Sequence, residues 1–159
     1  MRSLLAGVPA LLLAACIFTA APAAGSQPLF LAVTQFPDGQ ELARMALQGE
    51  DGFSLSFIHS VSNTRVKDIY QIRSGSIVQV AERFKTHGAG LPTSPEEPGG
   101  LAWEQEGEEF ILKMERPISR LVIRTDKNYQ NRLIIGNRTI NLNQWKDQAL
   151  LLQILPGGP

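Results

Sequence analysis

The side chains best suited to bind or react in this sequence are grouped around a histidine. His59 and Ser60 are followed closely by Thr64, Asp68 and Tyr70. A carboxylate that orients an imidazole is a common catalytic arrangement, and an imidazole or hydroxyl at a pocket rim can bind a polar ligand. The stretch has no serine in a nucleophile elbow. A binding role is therefore favoured over triad chemistry, and a partly buried histidine bonded to backbone is the simpler structural alternative.

A second motif combines a histidine with two closely spaced glycines. His87 precedes Gly88 and Gly90, and Leu91-Pro92 follows them. Paired glycines allow positive φ angles and close backbone approach, and amides exposed in such a turn can bind an anion. Pro92 biases Leu91 toward an extended conformation. The motif lacks the lysine and the helix of a phosphate loop, so it indicates either an anion-binding rim or a tight corner at the end of a strand.

Composition narrows the classes of function further. Two histidines, without nearby cysteines or clustered carboxylates, are too few to argue for zinc. No cofactor-binding motif stands out, so we expect neither a metal nor a cofactor. The chain of 159 residues has 15 basic and 15 acidic side chains. Because these charges balance and are spread along the chain, nothing in them favours nucleic-acid binding.

Residues 1–24 predict export from the cytoplasm. Met1-Arg2 is followed by a long apolar run that ends in small residues, as in an export signal. Three outcomes stay open. Cys16 lies in a lipobox-like context and would be lipidated, or the chain would be cleaved after the small residues near Ala23. Alternatively, the apolar run would remain as a membrane anchor. Each outcome places the rest of the chain in the periplasm, free or tethered. Because Cys16 is the only cysteine, the exported part cannot form an internal disulfide.

The remainder, residues 29–155, is predicted to form one all-β domain. Apolar and polar residues alternate in short runs separated by turn residues such as Gly136-Asn137. We expect about nine mostly antiparallel strands in a sandwich or a partly closed barrel, with an exposed Pro/Gly-rich loop at 93–100. The best helix candidate, Glu41–Leu47, could equally be a strand. The predicted strands and hairpins are 29–33, 53–59, 64–84, 109–115, 120–125, 132–142 and 149–155.

Strand parity predicts how the first motif is arranged. The apolar residues at 53, 55 and 57 should share one strand face with His59, while Ser60 points the opposite way. Asp68 and Tyr70 should also share a face, and they could form a polar cluster with His59 across the sheet. For the two motifs to form one binding surface, His59 and the Gly88 turn must lie together at a patch that is accessible to solvent.

These motifs, taken together, resemble domain of unknown function family 1850. The resemblance extends from about Phe30 to Leu152, and its specific parts are residues 59–61 and 88–92. Members of that family are small exported or membrane-anchored bacterial proteins without an established activity. They are commonly encoded beside tripartite ATP-independent periplasmic (TRAP) transporters of the TAXI subgroup. The candidate binding or interaction residues are His59, Ser60, Thr64, Asp68, Tyr70, His87, Gly88, Gly90 and Pro92.

Two functional hypotheses follow from the motifs and the resemblance. In the first, the chain is a non-catalytic accessory protein that docks on the membrane subunit or the solute-binding protein of a TAXI-type TRAP transporter. In the second, it is a periplasmic module that binds a small organic anion in a pocket including His59 and the Gly88 turn. An enzyme would require His59, Asp68 and a nucleophile to converge within hydrogen-bond reach.

Overall fold

The structure is a computed structural model that describes residues 27–88 and 90–157. The expected export signal at 1–24, including Cys16, lies outside these residues. Within the described part, no helix has the length and apolar character needed to cross a membrane. What the structure presents is therefore the predicted β domain.

Short alternating runs bounded by turns produce strands throughout the described part. Eleven strands and two 3₁₀ helices are formed in it. The strands are β1 Leu29–Gln35, β2 Glu41–Ala46, β3 Gly52–Ile58, β4 Arg65–Arg73, β5 Ser76–Phe84, β6 Gly100–Glu106, β7 Glu109–Ile118, β8 Leu121–Arg124, β9 Arg132–Ile135, β10 Arg138–Asn141 and β11 Ala149–Pro156. The 3₁₀ helices are Lys127–Tyr129 and Leu142–Trp145.

The strands form two antiparallel sheets that pack together as a sandwich. The small sheet has the order β2-β1-β11-β8, and the large sheet has the order β10-β9-β3-β4-β5-β7-β6. Every strand pair within the two sheets is antiparallel. The prediction of an all-β, antiparallel domain is confirmed, and of its two alternatives the structure is the sandwich, because the sheets do not close into a barrel.

The structure adds one strand that the sequence did not predict and decides one segment that the sequence left open. The segment proposed as the best helix candidate is strand β2, which pairs with β1 from Phe30↔Ala46 onward. Strand β6 had not been predicted, and it pairs with β7 through Trp103↔Leu112. Both are edge strands, so each is paired on one side only, and its conformation depends on that one neighbour more than on its own alternation.

Apolar side chains between the sheets form the main core. It combines buried residues of the small sheet, such as Leu31 and Leu152, with buried residues of the large sheet, such as Phe53 and Leu133. A second, smaller cluster of Val66, Phe84 and Leu91 lies on the large sheet separately from it. Burying each large aliphatic or aromatic side chain contributes about 1.5–3 kcal/mol, so the main core supplies most of the stability.

The two ends of the described chain lie side by side. Leu29 opens β1 and pairs with Pro156, the last residue of β11. Beyond this pair, the backbone N–H of Gly157 donates to the carbonyl of Pro28 at 2.6 Å. The small sheet therefore holds both ends at one place.

Candidate functional site

The first motif forms the turn between β3 and β4. The backbone N–H of His59 donates to the carbonyl of Thr64 at 2.9 Å, and the N–H of Asn63 donates to the carbonyl of His59 at 2.9 Å. Asn63 adopts a φ of 54°, a left-handed conformation that asparagine tolerates better than most residues. The turn is thus closed by its own backbone, with Ser60 and Val61 exposed at its tip.

The imidazole of His59 is fixed by the turn that it begins. Its Nδ1 accepts hydrogen bonds from the backbone N–H of Ser62 at 3.3 Å and of Val61 at 3.4 Å. The hydroxyl of Ser62 lies 3.3 Å from the same nitrogen and 2.9 Å from Oγ1 of Thr64. Because backbone amides can only donate, Nδ1 is the acceptor and Nε2 carries the ring proton. His59 therefore presents a neutral N–H edge away from the turn.

The two motifs meet at one corner of the molecule. A methyl group placed on Gly88 would lie 4.0 Å from Cε1 of His59 and 3.8 Å from Cβ of Ser62. The N–H of Leu91 donates to the carbonyl of Gly88 at 3.0 Å and closes the second turn. We call this juxtaposition of residues 59–64 with Gly88 the His59–Gly88 corner. Its tip exposes one large apolar side chain, because 62% of Val61 is accessible to solvent.

His87 and the residues after Gly88 attach the second motif to the large sheet. The ring of His87 is exposed to solvent on one side, stacks on Trp103 with centroids 5.7 Å apart and contacts Phe110 at 4.3 Å. Leu91 and Pro92 are buried, whereas Gly90 is exposed with a φ of 85°. Pro92 and His87 thus anchor the turn, and Gly88 is the part that reaches the corner.

Asp68 and Tyr70 lie in a separate polar cluster inside the sandwich. The hydroxyl of Tyr70 donates to Oδ2 of Asp68 at 3.3 Å, as their shared face predicts. Nε2 of Gln79 donates to Oδ1 of Asp68 at 3.3 Å, and Nη1 of Arg116 donates to Oε1 of Gln79 at 3.3 Å. Tyr70 also stacks on Phe53 in the main core, with ring centroids 5.0 Å apart. His59 makes no hydrogen bond to either residue among those described, so the predicted three-membered cluster is wrong in this respect.

Burial raises the pKa of each acidic side chain in this cluster. It raises the pKa of Asp68 to about 6, although the hydrogen bond from Tyr70 and the charge of Arg116 act in the opposite direction. Burial also raises the pKa of Glu82 to about 7, and the nearby carboxylate of Asp68 adds to this effect. For Tyr70, burial and then the charge of Asp68 raise the pKa. The carboxyl groups of Asp68 and Glu82 therefore gain or lose their protons close to neutral pH.

A break in strand register brings Glu82 to Asp68. The pairing of β4 with β5 shifts at Val80, so that Tyr70 lies opposite Gln79 while Asp68 lies opposite Glu82. Without this shift, simple alternation would place Gln79 and Glu82 on opposite faces of β5. The bulge turns both polar side chains toward the interior, where they meet the side chain of Arg116.

A cavity of about 320 Å³ separates His59 from Asp68, and both residues line it. It opens because β9 pairs with β3 only as far as Ser56, which leaves the end of β3 without a strand neighbour on that side. Its wall includes Arg124 and Arg132, and neither forms a salt bridge within residues 27–88 and 90–157. The cavity therefore combines apolar walls with two cationic groups and the carboxyl group of Asp68.

Several residues of these sites were not predicted from the sequence. Ser62 fixes His59, Trp103 stacks on His87, and Glu82 and Arg116 complete the polar cluster. A signal for Ser62 existed, because a serine a few residues after a strand end often bonds within a turn. Nothing in the sequence marks the bulge, so the positions of Glu82 and Arg116 required the structure.

Comparison with known proteins now identifies the family. The family model described as a domain of unknown function, DUF1850, matches residues 53–142. The chain belongs to the DUF1850 family. The DUF1850 match runs from the start of β3 to the end of β10, and so includes the large sheet, β8 and both motifs, whereas β1, β2 and β11 lie outside it. Comparison of the chain with curated proteins and with solved structures finds no significant match.

His59 and Asp68 face one cavity without a direct hydrogen bond between them, and the acceptor nitrogen of His59 is already occupied by its own turn. Among residues 27–88 and 90–157, no group of three histidine, cysteine, aspartate or glutamate side chains is placed to ligate a metal ion. The corner and the cavity are the two surfaces that could hold a partner or a ligand.

Proposed function

We propose that this DUF1850 protein is an exported, non-catalytic accessory protein of a TAXI-type TRAP transport system. In this proposal it acts in the periplasm by docking on the transporter's membrane subunit or on its TAXI solute-binding protein. A lipid on Cys16 or the apolar leader would hold it at the membrane, and mass spectrometry of the mature N-terminus distinguishes these two forms from a cleaved, untethered one.

The observation that supports docking is the His59–Gly88 corner. The most specific motifs of the chain lie far apart in sequence but are adjacent in space, with a methyl on Gly88 only 4.0 Å from the ring of His59. The turn is rigid because its backbone and its histidine are hydrogen-bonded to each other. A preorganised turn with an exposed apolar tip suits recognition by a partner, because little entropy is lost on binding.

Site-specific photo-crosslinking tests this proposal. A photoreactive amino acid replaces Val61, which is 62% exposed at the corner, in the full chain expressed with its native transporter. The matched control carries the same amino acid at Leu101, which is 67% exposed on β6, four strands away from β3 in the large sheet. We expect the variant at position 61, and not the one at position 101, to capture a transporter subunit.

The two crosslinking sites also define the contrary result. Capture of no transporter subunit from position 61, or equal capture from both positions, would count against docking through the corner. Because both replaced residues are exposed and apolar, a difference between them cannot be attributed to general hydrophobic adhesion.

A second candidate function is the binding of a small organic anion, and the cavity favours it. Its volume of about 320 Å³ is at the lower end of the range for small-molecule sites. Arg124 and Arg132 could pair with a carboxylate, while the N–H edge of His59 could donate a hydrogen bond. Apolar residues such as Ile123 would contact the carbon skeleton of the ligand.

Thermal unfolding with a panel of small mono- and dicarboxylates tests this second function. A ligand that binds only the folded state raises the Tm in proportion to its occupancy. We expect Arg124→Gln to remove the increase in Tm. The control Lys127→Gln should leave the increase unchanged, because Lys127 lies in the neighbouring 3₁₀ helix but does not line the cavity. Indifference to every carboxylate would argue against the cavity as a binding site.

A further inference from the structure

We propose that the outer face of the large sheet carries a separate subsite for one oxyanion, a carboxylate or a phosphate. The subsite is formed by Arg65, Lys67 and Arg132 around the hydroxyl of Ser56. These residues line a depression of about 340 Å³ on the face that points away from the small sheet. Ser56 and Arg132 line both this depression and the cavity beside His59, whereas Arg65 and Lys67 line only the depression. The inference therefore depends on Arg65 and Lys67, and it does not require that the cavity bind a ligand.

Strand register places these cations in one row. Arg132 of β9 lies opposite Ser56 of β3, Ser56 lies opposite Lys67 of β4, and Lys67 lies opposite Arg83 of β5. Arg65 is two residues before Lys67 and therefore projects from the same face. Neighbouring strands are about 4.8 Å apart, so Arg132 and Lys67, on the two strands that flank β3, are about 10 Å apart at the backbone and bracket Ser56.

This row of positive charges destabilises the sheet unless an anion neutralises it. Like charges directly opposite each other on neighbouring strands destabilise a sheet, and Lys67 faces Arg83 across the β4–β5 pair. The guanidinium of Arg65 is held in place by two neutral acceptors, Oγ of Ser56 at 3.0 Å and Oε1 of Gln130 at 2.9 Å. These bonds fix its direction but leave its charge unneutralised.

Carboxylates neutralise the neighbouring cations but not the central three. Arg83 is bonded to Glu106 at 2.7 Å and to Glu109 at 3.1 Å, and Lys85 lies 3.4 Å from Glu108. Within the described residues, Arg65, Lys67 and Arg132 form no salt bridge. The uncompensated charge is therefore local, and it suits a single anionic group better than an extended anionic surface such as a membrane.

The floor of the depression adds a hydrogen-bond donor. Only 4% of Ser56 is exposed, although it lies on the outer face, because the long side chains around it cover it. Its oxygen accepts from Arg65, so its hydroxyl hydrogen is left to donate. Two guanidinium groups, one ammonium group and one hydroxyl are the donors with which proteins commonly hold carboxylates and phosphates.

An NMR titration of the chain, purified as the cell processes it, tests the subsite. Inorganic phosphate and succinate are added in separate series at constant ionic strength. We expect saturable shifts confined to the amides near Ser56, Lys67 and Arg132. The variant Lys67→Met keeps the methylene cover over Ser56 and should weaken the affinity at least tenfold. The control Lys113→Met removes a lysine from the same face that is already paired with Glu104 at 2.6 Å, and it should bind like the wild type.

The result of each series supports or overturns the subsite. Saturation with phosphate or with succinate, lost in the Lys67 variant and kept in the Lys113 variant, supports it and shows which oxyanion is preferred. Shifts that grow linearly and spread over all basic residues would overturn it, because they report general ion screening. Equal weakening in the two variants would overturn it as well. The spectrum of each variant verifies its fold, so a loss of binding cannot be confused with unfolding.

Discussion

The large sheet is covered in different ways at the two ends of its strands. At one end, Phe53 and Leu133 lie beneath the small sheet in the main core. At the other end, Val66 and Phe84 are covered by a segment without strands, whose Leu91 packs into the second cluster. A layer of paired strands makes the first end a scaffold. The second end, held by a single segment, can present the His59–Gly88 corner.

The boundary between the two ends is polar. Asp68 and Glu82 face each other there, and Gln79 and Arg116 complete their surroundings. Among the described residues, every fully buried side-chain polar atom has a hydrogen-bond partner. A polar boundary whose buried groups are all hydrogen-bonded costs little stability, but it separates the two apolar clusters. We therefore expect the two ends to respond differently to mutation.

The largest effect is expected from emptying either cluster. Phe84 is 1% exposed and Leu133 is fully buried. Phe84→Ala should lower the free energy of unfolding by about 3–5 kcal/mol, and Leu133→Ala by about 2–5 kcal/mol. Hydrogen exchange should then distinguish them. Phe84→Ala should remove protection first in residues 90–99, whereas Leu133→Ala should lower protection throughout both sheets. The same exchange pattern in both variants would mean that the two ends form one cooperative layer.

The polar boundary should make stability depend on pH. Unfolded carboxyl groups titrate near pH 4, whereas in the folded protein the pKa of Asp68 is about 6 and that of Glu82 about 7. The folded state therefore retains protons that the unfolded state has released, and its stability is lost as the pH rises through this window. Each group contributes about 1.4 kcal/mol per pH unit over which only the folded state holds its proton, so we expect the free energy of unfolding to fall by roughly 3–4 kcal/mol between pH 5 and pH 8, with most of the loss complete by pH 7. Denaturant titration at several pH values measures it.

Removing one of the two acids tests the cause of that dependence. Asp68→Asn keeps the shape of the side chain and removes its titration, so the slope of stability against pH should decrease. Glu115→Gln is a suitable control, because Glu115 is an exposed carboxylate on the neighbouring strand β7. An unchanged slope in the Asp68 variant would assign the pH dependence to other groups.

A smaller effect is expected at the corner itself. His59→Ala removes the acceptor for the amides of Val61 and Ser62 and should destabilise the protein by about 1 kcal/mol. His59→Asn places an oxygen near the position of Nδ1 and should restore most of that loss, while it removes the Nε2 edge. Chemical denaturation of both variants measures the difference. If both lose the same stability, the turn does not depend on that acceptor.

The smallest effects should distinguish the two glycines of the second motif. Gly90 has a φ of 85°, so Gly90→Ala should cost about 1 kcal/mol even though open space surrounds it. Gly88→Ala should be close to neutral, because its methyl would only make ordinary contacts with His59 and Ser62. Thermal unfolding of the two variants side by side is sufficient. A reversed order would mean that contact at the corner, rather than backbone conformation, limits this turn.

Local pattern was enough to predict the elements whose signal lies within themselves. The alternation in β3 and the turn at Gly136-Asn137 identified their strands, because side-chain period and turn chemistry are properties of a few consecutive residues. An all-β sandwich or partly closed barrel followed from the number of such runs, and the structure decided between the two. The shared face of Asp68 and Tyr70 was also readable from parity, and their hydrogen bond confirms it.

Elements that depend on how strands pair could not be predicted in this way. Strand β6 carries a weak pattern and exists because Trp103 and its neighbours pair with β7. The register shift at Val80 brings Gln79 and Glu82 to the same face of β5, and only the pairing with β4 reveals it. The meeting of His59 with Gly88 depends on the order of the sheet, which the sequence left open.

The pairing of Leu29 with Pro156 has a practical consequence for how the protein is handled. A fluorophore, an affinity handle or a surface linkage joined at Gly157 emerges beside Pro28, at the start of the described chain. Attachment there therefore orients the domain as attachment just before β1 would, and immobilised binding assays can use that orientation without altering residues 1–26.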